Sequence, residues 1–190
     1  LSAEGSSPLF AGECAVVKVI SPQILHKTEL GGVAIVPNEN GAILEAIRRM
    51  EKLFVSFAVE GYTVNEFVRF EPKLGHEMLF GYRFAADFGP VVSFSPGGVY
   101  AEFMAEKFKP GSANLCFSPR TATRESVRKA LSRNLVYGLV SAGLRNTTPA
   151  LSGEELLDAL MNFIAASEAL AASGVSEFEV NPMVIRKGDA

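Results

Sequence analysis

The run Cys14-Ala15-Val16-Val17-Lys18-Val19-Ile20 constrains this chain more than any other segment. It is rich in β-branched residues and lacks helical spacing, so it predicts a strand. It is apolar almost without interruption, and such continuity predicts cover on both faces. Lys18 alone breaks the run. Lysines are rarely buried without a partner, so Lys18 either snorkels at a sheet edge or meets an anion. Ser21-Pro22 ends the strand, and a polar loop follows from Leu25 to Gly32, carrying His26. A histidine beside Lys27, Thr28 and two glycines reads either as an incidental surface residue or as a group that accepts phosphate.

Further segments give a mixed pattern. Gly32 to Val36 predicts a short strand stopped by Pro37. Gly41 to Leu53 predicts a helix, with Ile43, Ile47 and Met50 at helical spacing. Tyr62 to Phe70, Glu77 to Arg83 and Pro90 to Phe94 predict strands, the last two joined by the Asp87-Phe88-Gly89-Pro90 turn. Ser95-Pro96-Gly97-Gly98 reads as a tight turn. Ala122 to Leu131 and Leu135 to Ala142 read as helices. Ser152 to Ala172 is the longest helix, with Ser152 and Glu155 spaced as a capping box and Gly174 as its stop. Glu177 to Ile185 predicts a closing strand in which Asn181-Pro182 interrupts the ladder. The fold class is therefore α+β.

Composition excludes several classes. With 18 Lys+Arg against 21 Asp+Glu, the net charge of −3 argues against a nucleic-acid partner. The basic clusters at Arg48-Arg49 and Arg124 to Lys129 read as solvated helix faces. No apolar run reaches the length of a membrane span, and the first residues lack a secretory pattern. A cytoplasmic location is expected, with Cys14 and Cys116 as buried thiols. The chain has neither a P-loop nor a Gly-x-Gly-x-x-Gly motif, so any nucleotide is held in another way. On a strand, Glu179 and Asn181 share one face. They read either as a surface pair or as hard oxygen ligands suited to Mg²⁺. His76-Glu77 and Glu66 say little as isolated acids.

Four blocks in order carry a family resemblance. Val16 to Val33, with its Ser-Pro…Leu-His-Lys-Thr…Gly-Gly pattern, resembles the opening of the ATP-grasp domain of ADP-forming acyl-CoA synthetases, relatives of the succinyl-CoA synthetase β subunit. Glu60 to Val68 resembles the strand leading to that family's adenine hinge. Glu77 to Gly81, with Phe88 to Val92 and Gly97-Gly98-Val99, resembles its central hairpin. Glu177 to Met183 resembles its closing acidic-x-Asn-Pro strand.

The resemblance implies an ATP-grasp fold over residues 1–190: two small α+β subdomains, about 14–70 and 71–190, with a nucleotide cleft between them. It implies an acid–CoA ligase component that converts a carboxylic acid, CoA and ATP to acyl-CoA, ADP and phosphate through a phosphohistidine. By position, His26 would be the phosphoryl acceptor. Lys18, Glu66, Phe67, Val68, Gly97 and Gly98 would hold ATP or ADP, and Glu179 and Asn181 would hold Mg²⁺. The resemblance also implies CoA-binding and CoA-ligase domains, in the same polypeptide or in a partner subunit, and leaves self-association open.

Departures from the family pattern set further expectations. A helix before the Lys18 strand and an acidic strand after the Asn-Pro turn are expected to be missing, which reads either as a fragment truncated at both ends or as a divergent member with weakened activity. Pro96 stands where a glycine is expected, Glu179 where Asp is usual, and the loop at Leu144-Arg145-Asn146 lacks flanking glycines. A non-catalytic ATP-grasp module that senses nucleotide or scaffolds an assembly is the alternative reading. A carboxylate–amine ligase gives the Leu-His-Lys-Thr block no role.

Overall fold

The computed structural model describes residues 8–24, 27–109, 111–142 and 149–185. The chain divides into two compact units, Leu1–Arg69 and Phe70–Ala190.

In the first unit, β1 (Cys14–Ile20) lies between β2 (Val33–Pro37) and β3 (Gly61–Glu66), antiparallel to both. Helix α1 (Asn40–Leu53) covers one face of this sheet. Its inward residues Ile43, Ala46 and Met50 pack with Ala15, Val17, Val19, Ile24 and Phe54. The cover is one-sided: Ala15, Val17 and Val19 are buried, whereas Lys18 and Ile20 are exposed. This corrects the expectation of a strand covered on both faces. Val16 and Ile20 are apolar although they point away from the core, so a period of two is hidden in a continuous apolar run.

The second unit holds a four-stranded antiparallel sheet. Its strands are β4 (Glu77–Ala85), β5 (Gly89–Pro96), β6 (Leu115–Phe117) and β7 (Glu177–Val184), in the order β6-β5-β4-β7. Met78, Phe80, Val92 and Phe94 face the core. Phe80 meets the rings of Phe94 and Phe163 edge-to-face, both with centroids 5.6 Å apart, the favoured aromatic geometry. Across them lies α5 (Gly153–Ala172), which buries Leu156, Leu157, Leu160 and Ile164. Burying each such side chain contributes roughly 1.5–3 kcal/mol. Helix α3 (Arg124–Leu131) adds Val127 and Leu131.

A 3₁₀ turn (Gly98–Tyr100) and α2 (Ala101–Lys107) follow β5. Ser95 and Pro96 thus belong to the strand rather than to the expected turn, with Pro96 opposite Met78. Residues 135–142 form one short helical turn, α4 (Leu135–Tyr137), and a π-helical turn (Gly138–Ala142), not one regular helix. No helix among the described residues is long and apolar enough to cross a membrane.

Helix α5 begins where the sequence predicts. Ser152 Oγ accepts from the Glu155 amide at 3.2 Å, and Glu155 Oε2 accepts from the Ser152 amide at 2.8 Å. These bonds hold the Glu155 carboxyl below its usual range. Gly174 ends the helix region at φ 72°, a backbone conformation that suits glycine. On the surface, Glu154 accepts from both Arg128 and Arg124, and Arg124 also pairs with Asp158. Hydrogen bonds from Arg128 and then Arg124 lower the Glu154 carboxyl to about 2.

A lowered folded-state pKa contributes stability above the unfolded-state value, which is lost as pH falls through the folded one. The melting temperature of Glu154→Gln is therefore expected to fall below wild type by a constant amount between pH 6 and 8. The gap should close from about pH 4.3, the ordinary Glu value, towards pH 2. Because these groups are exposed, high salt should shrink it.

Candidate functional site

Each sheet packs its core against helices on one face, and of the predicted site residues Lys18 and Glu179 lie on the other. In the first unit, Lys18 is on the central strand, opposite Val33 on one side and Thr63 on the other. It is exposed without being at an edge. Around it on the same face lie Val16, Val33, Thr63 and Asn65, with Ile20 and Ile35 at 37% and 56% exposure. Among the described strand residues of this face Lys18 is the one cation, within a largely apolar surface.

The loop that follows β1 is tied back to it. The Gly32 amide donates to the Lys27 carbonyl at 2.6 Å, and the Val19 amide donates to the Gly32 carbonyl at 2.9 Å. A side chain on Gly32 would overlap Val19 and crowd the Lys27 carbonyl, so the backbone passes close only because this residue is glycine. These bonds anchor the Lys27–Gly32 turn beside Lys18. His26 itself lies outside the described residues, as does the loop at Leu144-Arg145-Asn146.

Glu66 pairs with Ala15, so it faces the side opposite Lys18 and lies against Gly12. The structure does not bring Glu66 and Lys18 onto one sheet face. Phe67 is half-buried, and its amide donates to the Cys14 carbonyl at 3.0 Å; Val68 is exposed. These residues immediately precede the point where the chain leaves the first unit at Arg69.

In the second unit, the face away from the core carries Leu79, Gly81 and Arg83 on β4, Ser93 on β5, Cys116 on β6, and Glu177 and Glu179 on β7. They line an open groove of about 350 Å³. Glu179 is exposed and lies opposite Gly81. Cys116 is exposed and Cys14 half-buried, against the expectation of buried thiols. Cys116 lies opposite Ser93 on the short edge strand β6. A second hollow of about 500 Å³ lies beside α2, lined in part by Leu79, Ser95, Pro96, Glu102 and Lys109.

The predicted interruption by Asn181-Pro182 takes the form of a register slip. Met78 faces Met183 and Phe80 faces Val180, so Asn181 and Pro182 together oppose the single residue Leu79. This two-against-one bulge re-aims the side chains it contains. Asn181 Oδ1 accepts from the Gly98 amide at 3.2 Å. The turn is held from its other side by the Gly97 amide, which donates to the Glu77 carbonyl at 2.9 Å. Gly97, Gly98 and Asn181 are thus brought together, as sequence reasoning did not specify.

Glu77 is the residue that sequence reasoning passed over. Its side chain is 7% exposed, and its carboxylate occupies the space that a side chain on Gly98 would need. No local pattern signals this, because the contact depends on the β4–β5 register. Gly98 also has φ 61°.

A family model described as an ATP-grasp domain matches residues 11–190, and the chain belongs to that family. It is 28% identical over 179 residues to an ADP-forming acetate–CoA ligase of Archaeoglobus fulgidus, covering 92% of this chain and 24% of the relative. It is 26% identical over 177 residues to the β subunit of such a ligase from Pyrococcus furiosus, covering 92% of this chain and 71% of the subunit. Among solved structures, it resembles a dinucleotide-forming acetyl-coenzyme A synthetase of Ca. Korarchaeum cryptofilum, in complex with coenzyme A, Ca-AMPCP and HgCl⁺. The TM-score is 0.64 and the identity 25%, over 92% of this chain and 71% of that one.

Gly98→Ala is expected to destabilise the second unit in urea titrations by about 1–3 kcal/mol, from left-handed strain and overlap with the Glu77 carboxylate. Adding Glu77→Ala should restore part of that loss, with a coupling of about 0.5–3 kcal/mol. Strict additivity would show that the overlap has no energetic consequence.

Proposed function

We propose that this chain is the ATP-binding, phosphoryl-transferring part of an ADP-forming acyl-CoA synthetase. The observation that carries the proposal is Lys18, an exposed cation on the central strand and, among the described strand residues of that face, the one cation in a largely apolar surface. A cation framed by apolar residues suits a ligand with a flat apolar part and an anionic part, such as a nucleotide. The names of the relatives support the same direction.

Lys18 takes the role of phosphate ligand in the first unit. The backbone from Glu66 to Val68 takes that of the adenine hinge, where main-chain groups rather than the Glu66 carboxylate would read the base. In the second unit, the Gly97–Gly98 turn takes the place beside the phosphates; the side chains these residues lack would fall on the β4 backbone and the Glu77 carboxylate, so glycine lets the turn pack this closely. Asn181 and Glu179 offer hard oxygen donors for Mg²⁺. Glu179 is exposed, and the Asn181 carbonyl keeps a second lone pair beyond the one given to Gly98. Bound with the nucleotide, that ion supplies charge neutralisation at the phosphates.

In the proposed reaction, the unprotonated ring nitrogen of His26 attacks the terminal phosphorus of ATP. An N–P bond forms, the P–O bond to the bridging oxygen breaks, and ADP leaves with that electron pair. Positioning and electrostatic stabilisation supply most of the catalysis in such transfers. The phosphoryl group then serves acyl-CoA formation on CoA-binding and CoA-ligase domains, in the same polypeptide or in a partner subunit. Cytoplasmic residence fits this chemistry.

A thermal melt with saturating Mg²⁺-ATP tests nucleotide binding. At about 100 times the Kd, a ligand adds about 2.7 kcal/mol. For a chain of this size that corresponds to a shift of about 5–11 °C. Wild type should show the shift and Lys18→Ala should lose most of it. An equal shift in both would remove Lys18 from the site, and no shift in wild type would contradict the reading.

A further inference from the structure

The Glu77 carboxylate has no role in the assignments above, yet its setting is costly. It is buried at 7% exposure, and Oε2 has no hydrogen-bond partner among the described residues. Burying a charge is unfavourable unless it is paired. The ion pairs formed among the described residues all involve other acids. The carboxylate lies against Gly98, and the side-chain oxygen of Asn181 reaches the amide of the same residue. A carboxylate and an amide oxygen, both acceptors, therefore converge on one turn, and among the described residues no cationic side chain pairs with the carboxylate.

The same turn is the one proposed to meet phosphate. An unscreened carboxylate there would repel phosphate, and the repulsion is strong where water is excluded. A cation shared between the two removes the conflict. Hard oxygen donors select a hard divalent ion, and Mg²⁺ is commonly held by one or two carboxylates together with substrate phosphates and water. Among the described residues, no three His, Cys, Asp or Glu side chains form a ready cage.

We propose that Glu77 is a ligand of the divalent cation that accompanies the nucleotide phosphates, sharing it with Asn181 at the Gly97–Gly98 turn. The proposal rests on the nucleotide-binding reading above. Rotation about the terminal carboxylate torsion, which is soft, turns an oxygen towards the ion.

The test is an electron paramagnetic resonance titration of Mn²⁺ with a non-hydrolysable ATP analogue bound. Nucleotide binding is measured separately in EDTA by anisotropy of a fluorescent ATP analogue. Glu77→Gln should raise the Mn²⁺ Kd at least tenfold, while nucleotide binding in EDTA stays within twofold or tightens. Glu177→Gln, on the same sheet but away from the turn, should change the Mn²⁺ Kd less than twofold. The ligand-free melting temperature of Glu77→Gln should equal or exceed that of wild type, because an unpartnered charge is removed; a merely structural role would lower it. Should Glu77→Gln unfold, Glu77→Asp keeps the charge and should weaken Mn²⁺ by withdrawing it. Undiminished Mn²⁺ affinity in the folded variant overturns the proposal. So does nucleotide binding without any Mn²⁺ in wild type. Absence of nucleotide binding in wild type would instead overturn the reading beneath it.

Discussion

The two-against-one bulge opposite Leu79 is the constraint on which the arrangement around Gly97 and Gly98 depends. Without it, β7 would continue in register and Asn181 would remain an ordinary ladder residue. With it, Asn181 reaches the Gly98 amide, and the turn after β5 is fixed between two strands. Pro182 suits this place because it has no amide hydrogen to lose from the ladder. The large aromatic and aliphatic core beneath β4 and β5 makes the arrangement rigid. Phe80, Phe94 and the α5 leucines leave little room for the strands to slide.

The first unit solves a different problem. Its small sheet buries one face against α1 and leaves the other open around Lys18. An apolar surface left in water is unfavourable in proportion to its area, so an open apolar face with a central cation makes physical sense as a binding surface. The ATP-grasp family assignment and this placement are independent observations, one from the whole chain and one from a single strand.

Much of this was legible in the residues. The capping box at Ser152 and Glu155, the stop at Gly174, the hairpin around Gly89 and the core positions of α1 all depend on local chemistry. Short-range rules therefore suffice for them. The open face of β1 was not legible, because Val16 and Ile20 are apolar on the outward side and mask the alternation. The three-residue strand β6 is too short to leave a pattern, and the exposure of Cys116 follows from its place at that edge. Glu77 was opaque for another reason. Its environment is built by Gly98 and by a register slip involving residues a hundred positions away, and no local window contains both. Lys18 and Asn181 could be singled out from sequence, but their surroundings could not. Only the register shows that Lys18 is central rather than at an edge, and that Asn181 is turned onto Gly98.

Phosphoryl transfer to His26 is read out by mass spectrometry of the chain after incubation with Mg²⁺-ATP. One added phosphoryl group is expected on His26, labile to acid and stable to alkali, discharged by added ADP, and absent from His26→Ala. Bound ATP with no phosphoryl group on His26 would contradict it and would favour a module that binds nucleotide without transferring phosphate.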